Sequence, residues 1–245
     1  MGKLNIQQAS VLLNKENSVG KSSSDFVYDK LLDGKNIRRV LFPKGDKDMF
    51  YSDGYVHYQC GADKKTITCN TTKGESCPIC QALYKLKDSD NPDDQMAYNT
   101  QKRKRRIAIN VLNLDEENPQ PKVLFIGSTI LKGLLQLITD EDYGDITDAE
   151  TGRNITITRT GQGLNTSYSV VAKPNATALD NADELDEKMA DLDSLFKIKP
   201  LSELQEIANS ITNTNVSTPI FKAVNPSDSE EVDAMDIINS VINKD

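Results

Sequence analysis

The chain has 245 residues, enough for one large domain or two small ones with a buried core. Only 37% of the residues are hydrophobic, 27% are charged, and tryptophan is absent. The N-terminus has no apolar run of signal-peptide length and no later stretch approaches a membrane span, so the expectation is a soluble, cytoplasmic protein with reduced thiols.

The net charge of −8 hides a division. Residues 1–139 carry 21 Lys and Arg against 16 Asp and Glu, whereas residues 140–245 carry 8 against 21. A basic front half suggests an anionic ligand, and an acidic rear half suggests a competitor for the same surface.

Residues 4–14, LNIQQASVLLN, have helical spacing, and the KENSVGKSSSD that follows reads as a flexible link. Residues 1–25 are therefore expected to form an N-terminal arm and linker. The GKS at Gly20–Ser22 is no phosphate loop, because Lys15 stands where that motif needs its first glycine. From about residue 36 the runs IRRVLFP, YVHYQC, TITCN, RIAINVLNL, KVLFI, NITITRT and SYSVVA predict strands. One helix interrupts them at 128–139, with Ser128 or Thr129 as N-cap. After Pro174 the pattern turns helical, in ADELDEKMADLDSLF and PLSELQEIANSIT. Residues 213–245 read as a flexible linker and an acidic tail. Strands with one intervening helix and no βαβ alternation predict a mainly β fold with added helices, a small Greek-key barrel over residues 26–212.

Every soft metal ligand lies between His57 and Cys80. Cys77-Pro-Ile-Cys80 is a tight turn whose two sulfurs can meet on one ion, and Cys69 supplies a third. A redox dithiol would sit where a strand of a βαβ unit enters a helix, and that setting is missing. A two-residue turn at Lys64-Lys65 would place Cys60 opposite Cys69; a three-residue loop, Ala62–Lys64, would place His57 there instead. Using all four cysteines favours Cys60, with His57 as the alternative. The expectation is one structural zinc with four protein ligands, stapling a lobe at about residues 55–90.

The run QKRKRRIAINVLNL places Lys102, Arg103, Lys104, Arg105 and Arg106 at the head of a strand. With period two, Ile107, Ile109 and Val111 face the core, while Lys104, Arg106, Ala108 and Asn110 share the other face. A polyanion backbone is the natural counterpart of such a row. Arg38, Arg39, Lys44 and Lys122 could extend the patch. Tyr51, Tyr55, Tyr58, Tyr84 and Tyr98 fall in or beside the knuckle region and offer faces on which unstacked bases can lie.

These motifs together resemble the single-stranded DNA-binding, helix-destabilising protein family of T-even bacteriophages. NIRRVLFPKGD is similar to the family's opening strand, HYQCGADKKTITCNTTKGESCPICQALYKL to its zinc subdomain, and KRKRRIAINVLNL to its basic strand, with Asn110 in register. ELDEKMADLDSLFKIKPLSELQEI resembles its late helices, and the acidic end its tail. The family's zinc histidine falls on Cys60, which Gly61 follows. Where the family has a basic N-terminal arm this chain offers only Lys3, and Ile107 and Ala108 stand where the family has aromatics. The resemblance implies an OB-fold core, one structural Zn2+ and self-association along the strand through the arm. It also implies a tail that contacts replication proteins such as a polymerase, a helicase loader or a primase. The expected function is to coat and protect single-stranded DNA in phage replication, recombination and repair, without catalysis, in the host cytoplasm. The alternative is a zinc-containing transcription or recombination accessory that binds RNA or duplex DNA.

Overall fold

The computed structural model of the chain describes residues 26–61 and 63–212. The expected helix at 4–14 and the acidic tail lie outside them.

Among the described residues, strands β1 (Gly34–Val40), β2 (Tyr51–Cys60), β3 (Lys65–Thr68), β4 (Lys104–Asn113), β5 (Pro121–Ile126), β6 (Arg153–Thr160) and β7 (Ser167–Ala176) form one antiparallel sheet. Its order is β3-β2-β4-β1-β6-β7, and β5 pairs with the other edge of β4. The helices are α1 (Pro78–Tyr84), α2 (Pro92–Gln101), α3 (Ser128–Ile138), α4 (Ala182–Lys188) and α5 (Leu201–Thr212). The fold class is the expected one, mainly β with added helices.

Strand β4 is the hub. Its first half pairs with β2 (Gly54↔Arg106), its second half with β1 (Arg39↔Leu112), and its far edge with β5 (Ala108↔Phe125). Ile107, Ile109 and Val111 face a core that includes Ile155 and Ile157 of β6 and a stripe on α3, Ile130, Leu131, Leu134 and Leu135. Each such side chain contributes about 1.5–3 kcal/mol when fully buried. Helix α3 is capped by Gly127, whose carbonyl accepts from Ile130 and Leu131, rather than by Ser128 or Thr129.

The opposite face of β4 is covered too, which the alternation argument did not foresee. The expected helix over 182–196 breaks at Met189 and resumes as a 3-10 turn, Leu192–Phe196. This strap packs Ala190, Leu192 and Phe196 on Val56, Ala108 and Val123. Gly54 makes room for it, since a Cβ there would stand 2.7 Å from the Phe196 ring.

Helices α1 and α2 carry little periodic signal. Helix α2 has no buried residue; it is started by Pro92 at its first turn and by the Asn91 side chain, which accepts from the Asp93 amide. Helix α5 returns from the end of the described chain to pack Leu204 and Ala208 against α1. The knuckle lobe is therefore not a self-contained stretch at 55–90, because its small core needs residues from beyond 200.

Candidate metal centre and nucleic-acid interface

The β2–β3 hairpin brings the first ligand group into place. Its register is neither of the two expected: His57 faces Ile67, Cys60 faces Lys65, and a bulge lies between them. Gln59 adopts φ +53, and the loop closes with Gly61 at φ +72, Lys64 at φ +49 and a Lys64 N–H bond to the Gly61 carbonyl. The slip leaves His57 fully buried and aimed at the cysteines.

Cys69 ends the hairpin, its amide donating to the Tyr55 carbonyl. Cys77 is the N-cap of α1 with Pro78 behind it, so Cys80 lies three residues on, in the first helical turn. The two sulfurs thus share one face, as the spacing predicts. His57 Nε2 lies 3.6 Å from Cys77 Sγ and 3.5 Å from Cys80 Sγ, and Cys69 Sγ lies 3.5 Å from Cys80 Sγ. All four donor atoms fall within 4.8 Å of one another. Tetrahedral zinc would set such edges at about 3.5–3.8 Å. The cluster of His57, Cys69, Cys77 and Cys80 can hold a metal ion.

Cys60 is not part of this group. Its sulfur hydrogen-bonds instead to the Tyr58 carbonyl and the Gln101 side chain, and burial pushes its thiol up to about 12. The geometry therefore selects the alternative, His57. His57 Nδ1 donates to the Gln101 carbonyl at 2.8 Å, which leaves Nε2 free to ligate. Burial disfavours the imidazolium, but hydrogen bonds with Cys69 and Cys77 outweigh it and raise His57 to about 10. Cys77, hydrogen-bonded to Cys69 and Cys80, is held far below its ordinary value. A metal ion binding there would displace these protons to solvent.

Directly after Gln101 the chain enters the basic run, where cations lie over rings. Lys102 sits 5.6 Å from the centre of Tyr98, and Arg103 sits 5.0 Å from Tyr55. Lys104 lies 5.9 Å from Tyr58, while Arg106 lies 5.9 Å from Tyr58 and 3.4 Å from Phe125. Tyr28 stacks on Phe125 with centroids 5.6 Å apart and is 45% exposed. A second exposed ring, Tyr84, lies under Lys87. Arg105 points the other way, and Asp53 neutralises it at 2.7 Å.

Tyr28 and Phe125 escaped the sequence reading. Phe125 belongs to this surface because it pairs across from Ala108, beside Arg106, a relation visible only once the β4–β5 register is known. Tyr28 arrives on a short parallel bridge to Val123 that has no strand pattern.

Four expected contacts are turned inward. Arg38, with its side chain 2% exposed, pairs with Asp29 at 2.5 Å and Asp115 at 2.6 Å. Arg39 is fully buried beneath the Asp148 turn. Asn110 grips the strap, donating to the Ala190 carbonyl and accepting from its amide. Tyr51 is buried edge-on against Phe50. Arg38, Arg39 and Asn110 lie where β1 or β4 is covered on both faces, and Tyr51 of β2 packs in the core, so the cationic surface stops at Arg106. Lys44 and Lys122 are also engaged within the protein, by α4 and by Glu116.

The family described as "gp32 DNA binding protein like" matches residues 32–214. The chain belongs to the gp32-like family of DNA-binding proteins. Among curated proteins, none matches it. Membership of the gp32-like family supports binding to single-stranded DNA in general, and the matched segment contains the ligand cluster and the ring–cation pairs of residues 102–106. Among the described residues, no helix is long and apolar enough to cross a membrane.

Proposed function

We propose that the protein coats single-stranded DNA without sequence preference, protecting it during replication, recombination and repair. The observation that carries this reading is the row of ring–cation pairs, Tyr98–Lys102, Tyr55–Arg103, Tyr58–Lys104 and Phe125–Arg106. Cations there can hold phosphates while neighbouring rings take unstacked bases, a combination indifferent to base identity. Reading a duplex groove calls for a basic helix, and each described helix holds at most one Lys or Arg.

A structural Zn2+ would be held by His57, Cys69, Cys77 and Cys80. The donor set of one imidazole and three thiolates fits that ion, and four protein ligands leave no position for substrate. Its contribution is to fix the β2–β3 hairpin against α1, and so to fix where the basic run leaves α2. No catalytic step belongs to this reading. The acidic tail would compete with DNA for the cationic surface and dock on replication proteins, and copies of the chain would associate along the strand.

Competition among single-stranded DNA, duplex DNA and RNA of equal length tests the reading. Strong preference for single-stranded DNA, independent of base composition, is expected. Equal affinity for duplex or RNA would overturn it in favour of a transcription or recombination accessory.

A further inference from the structure

A strand that follows the ring–cation row along β4 meets an obstacle after Arg106. The next residues on that face are Ala108 and Asn110, and both lie beneath the strap. Ala108 shares a cluster with Leu192 and Phe196, and Asn110 bonds the backbone of Ala190. The way straight along β4 is closed.

The way across β5 is open. Phe125 pairs with Ala108, and antiparallel partners share a face, so its ring stands beside Arg106, whose guanidinium lies 3.4 Å from the ring centre. Val123, two residues before Phe125, is on the same side and bridges to Tyr28. Register thus sets Arg106, Phe125 and Tyr28 on one face. The rings agree: Tyr28 stacks on Phe125 with planes 19° apart.

Tyr28 is also fixed in direction by its neighbours. The Asp29 amide donates to the Val123 carbonyl at 2.8 Å, and the Val123 amide donates to the Val27 carbonyl at 2.9 Å. The Asp29 carboxylate turns inward, to Arg38 at 2.5 Å and to the Asn113 amide group at 3.2 Å. With Asp29 drawn into the protein, the side chain before it points outward. The result is a flat ring, 45% exposed and held in place before any ligand arrives.

We propose that Tyr28 is a further nucleobase site, and that the strand turns off β4 at Arg106 and crosses β5 to reach it. One unpaired base lies on the open part of the Tyr28 ring, next in line after Arg106 and Phe125. Stacking of this kind accepts any base, because every base has a π-face. The inference rests on the single-stranded DNA reading above and adds to it the direction of the strand and a contact that precedes β1.

The affinity of the full chain for a single-stranded oligonucleotide, and for a strand of the same length made abasic, tests it. Tyr28→Ala should weaken binding to the ordinary strand by about 5- to 150-fold, the range for loss of one stacked base. Its salt slope should remain that of the wild type, because no phosphate contact is lost. Both proteins should bind the abasic strand alike, an equality that a damaged fold would not give. Tyr28→Phe keeps the ring and should recover the affinity for the ordinary strand. Unchanged affinity of Tyr28→Ala, an equal loss on the abasic strand, a flattened slope or no recovery by Tyr28→Phe would overturn the proposal. Each of these outcomes leaves the single-stranded DNA reading standing. Wild-type protein that does not bind single-stranded DNA would overturn both.

Discussion

His57 donates its Nδ1 hydrogen to the carbonyl of Gln101, and Gln101 is followed at once by Lys102, the first cation of the basic run. The ligand cluster and the basic run are thus linked by this hydrogen bond. A metal bound at Nε2 would hold the imidazole, and with it the anchor that sets the exit of α2. Chelation should weaken single-stranded DNA binding without unfolding the sheet around α3. His57→Cys sharpens the point, because four thiolates retain the metal while the bond to Gln101 is lost. Filter binding on the metal-loaded variant should show reduced affinity; wild-type affinity would mean that the bond is not needed.

Metal content separates the two candidate fourth ligands. The purified protein should contain one zinc, Cys77→Ser and His57→Ala should lose it, and Cys60→Ser should keep it. The apparent binding free energy of structural zinc is about 10–16 kcal/mol at neutral pH. Hydrogen exchange after chelation should therefore quicken in β3, α1 and also α5, which shares their core. An α5 as protected as before would show that it holds to the sheet by other means.

Lys104 and Arg106 should act through phosphates. Their double replacement by alanine is expected to flatten the salt dependence of single-stranded DNA binding, by about 0.7 in log–log slope per lost contact. Arg38→Ala should behave in the opposite way, leaving the slope alone and destabilising the fold by about 3–5 kcal/mol, because it strands the buried Asp29 carboxylate. Salt titrations and denaturant melts of the two variants read these outcomes separately.

Gly54→Ala should dislodge the strap. The new methyl would press on the Phe196 ring, and overpacking of this kind costs about 1–3 kcal/mol. Phe196→Leu in the same chain should recover part of the loss, as measured by the denaturant midpoint. Additive losses in the double variant would place the clash elsewhere.

Acid should weaken the turn above Arg39. The Thr151 amide and hydroxyl and the Glu150 amide hold the Asp148 carboxyl below its ordinary 3.8. A depressed folded value means stability that is present above the unfolded value and is lost as pH falls through the folded one. Asp148→Asn should therefore lower stability at neutral pH and reduce its decline below about pH 4. An unchanged acid limb would remove Asp148 from the account.

Truncation after Pro226 removes a segment with six carboxylates and a single lysine. It should strengthen binding to single-stranded DNA and duplex alike, most at low salt, where competition by the tail is least screened. Recruitment of replication proteins should fail although the DNA is still coated. Equal affinity at low salt would rule out competition by the tail.

Local chemistry made much of this protein legible from sequence. Cys77 and Cys80 converge because Pro78 starts a helix between them, and three-residue spacing on a helix puts side chains on one face wherever that helix sits. The strands announced themselves by alternation, and the cations of the basic run by adjacency. The fourth ligand was different: a bulge at Gln59 and the loop after Cys60 choose between His57 and Cys60, and a one-residue slip changes which side chain points inward. Arg38, Arg39, Asn110 and Tyr51 read as surface for a related reason. Whether a polar residue on a strand meets water or protein depends on what covers that face. Here the cover comes from Asp29 and Asp115, from the Asp148 turn and from a strap at 189–196. Apart from Asp29, nine residues from Arg38, those partners lie far along the chain, and no local pattern encodes their arrival. Only the folded arrangement decides which cations are left at the surface.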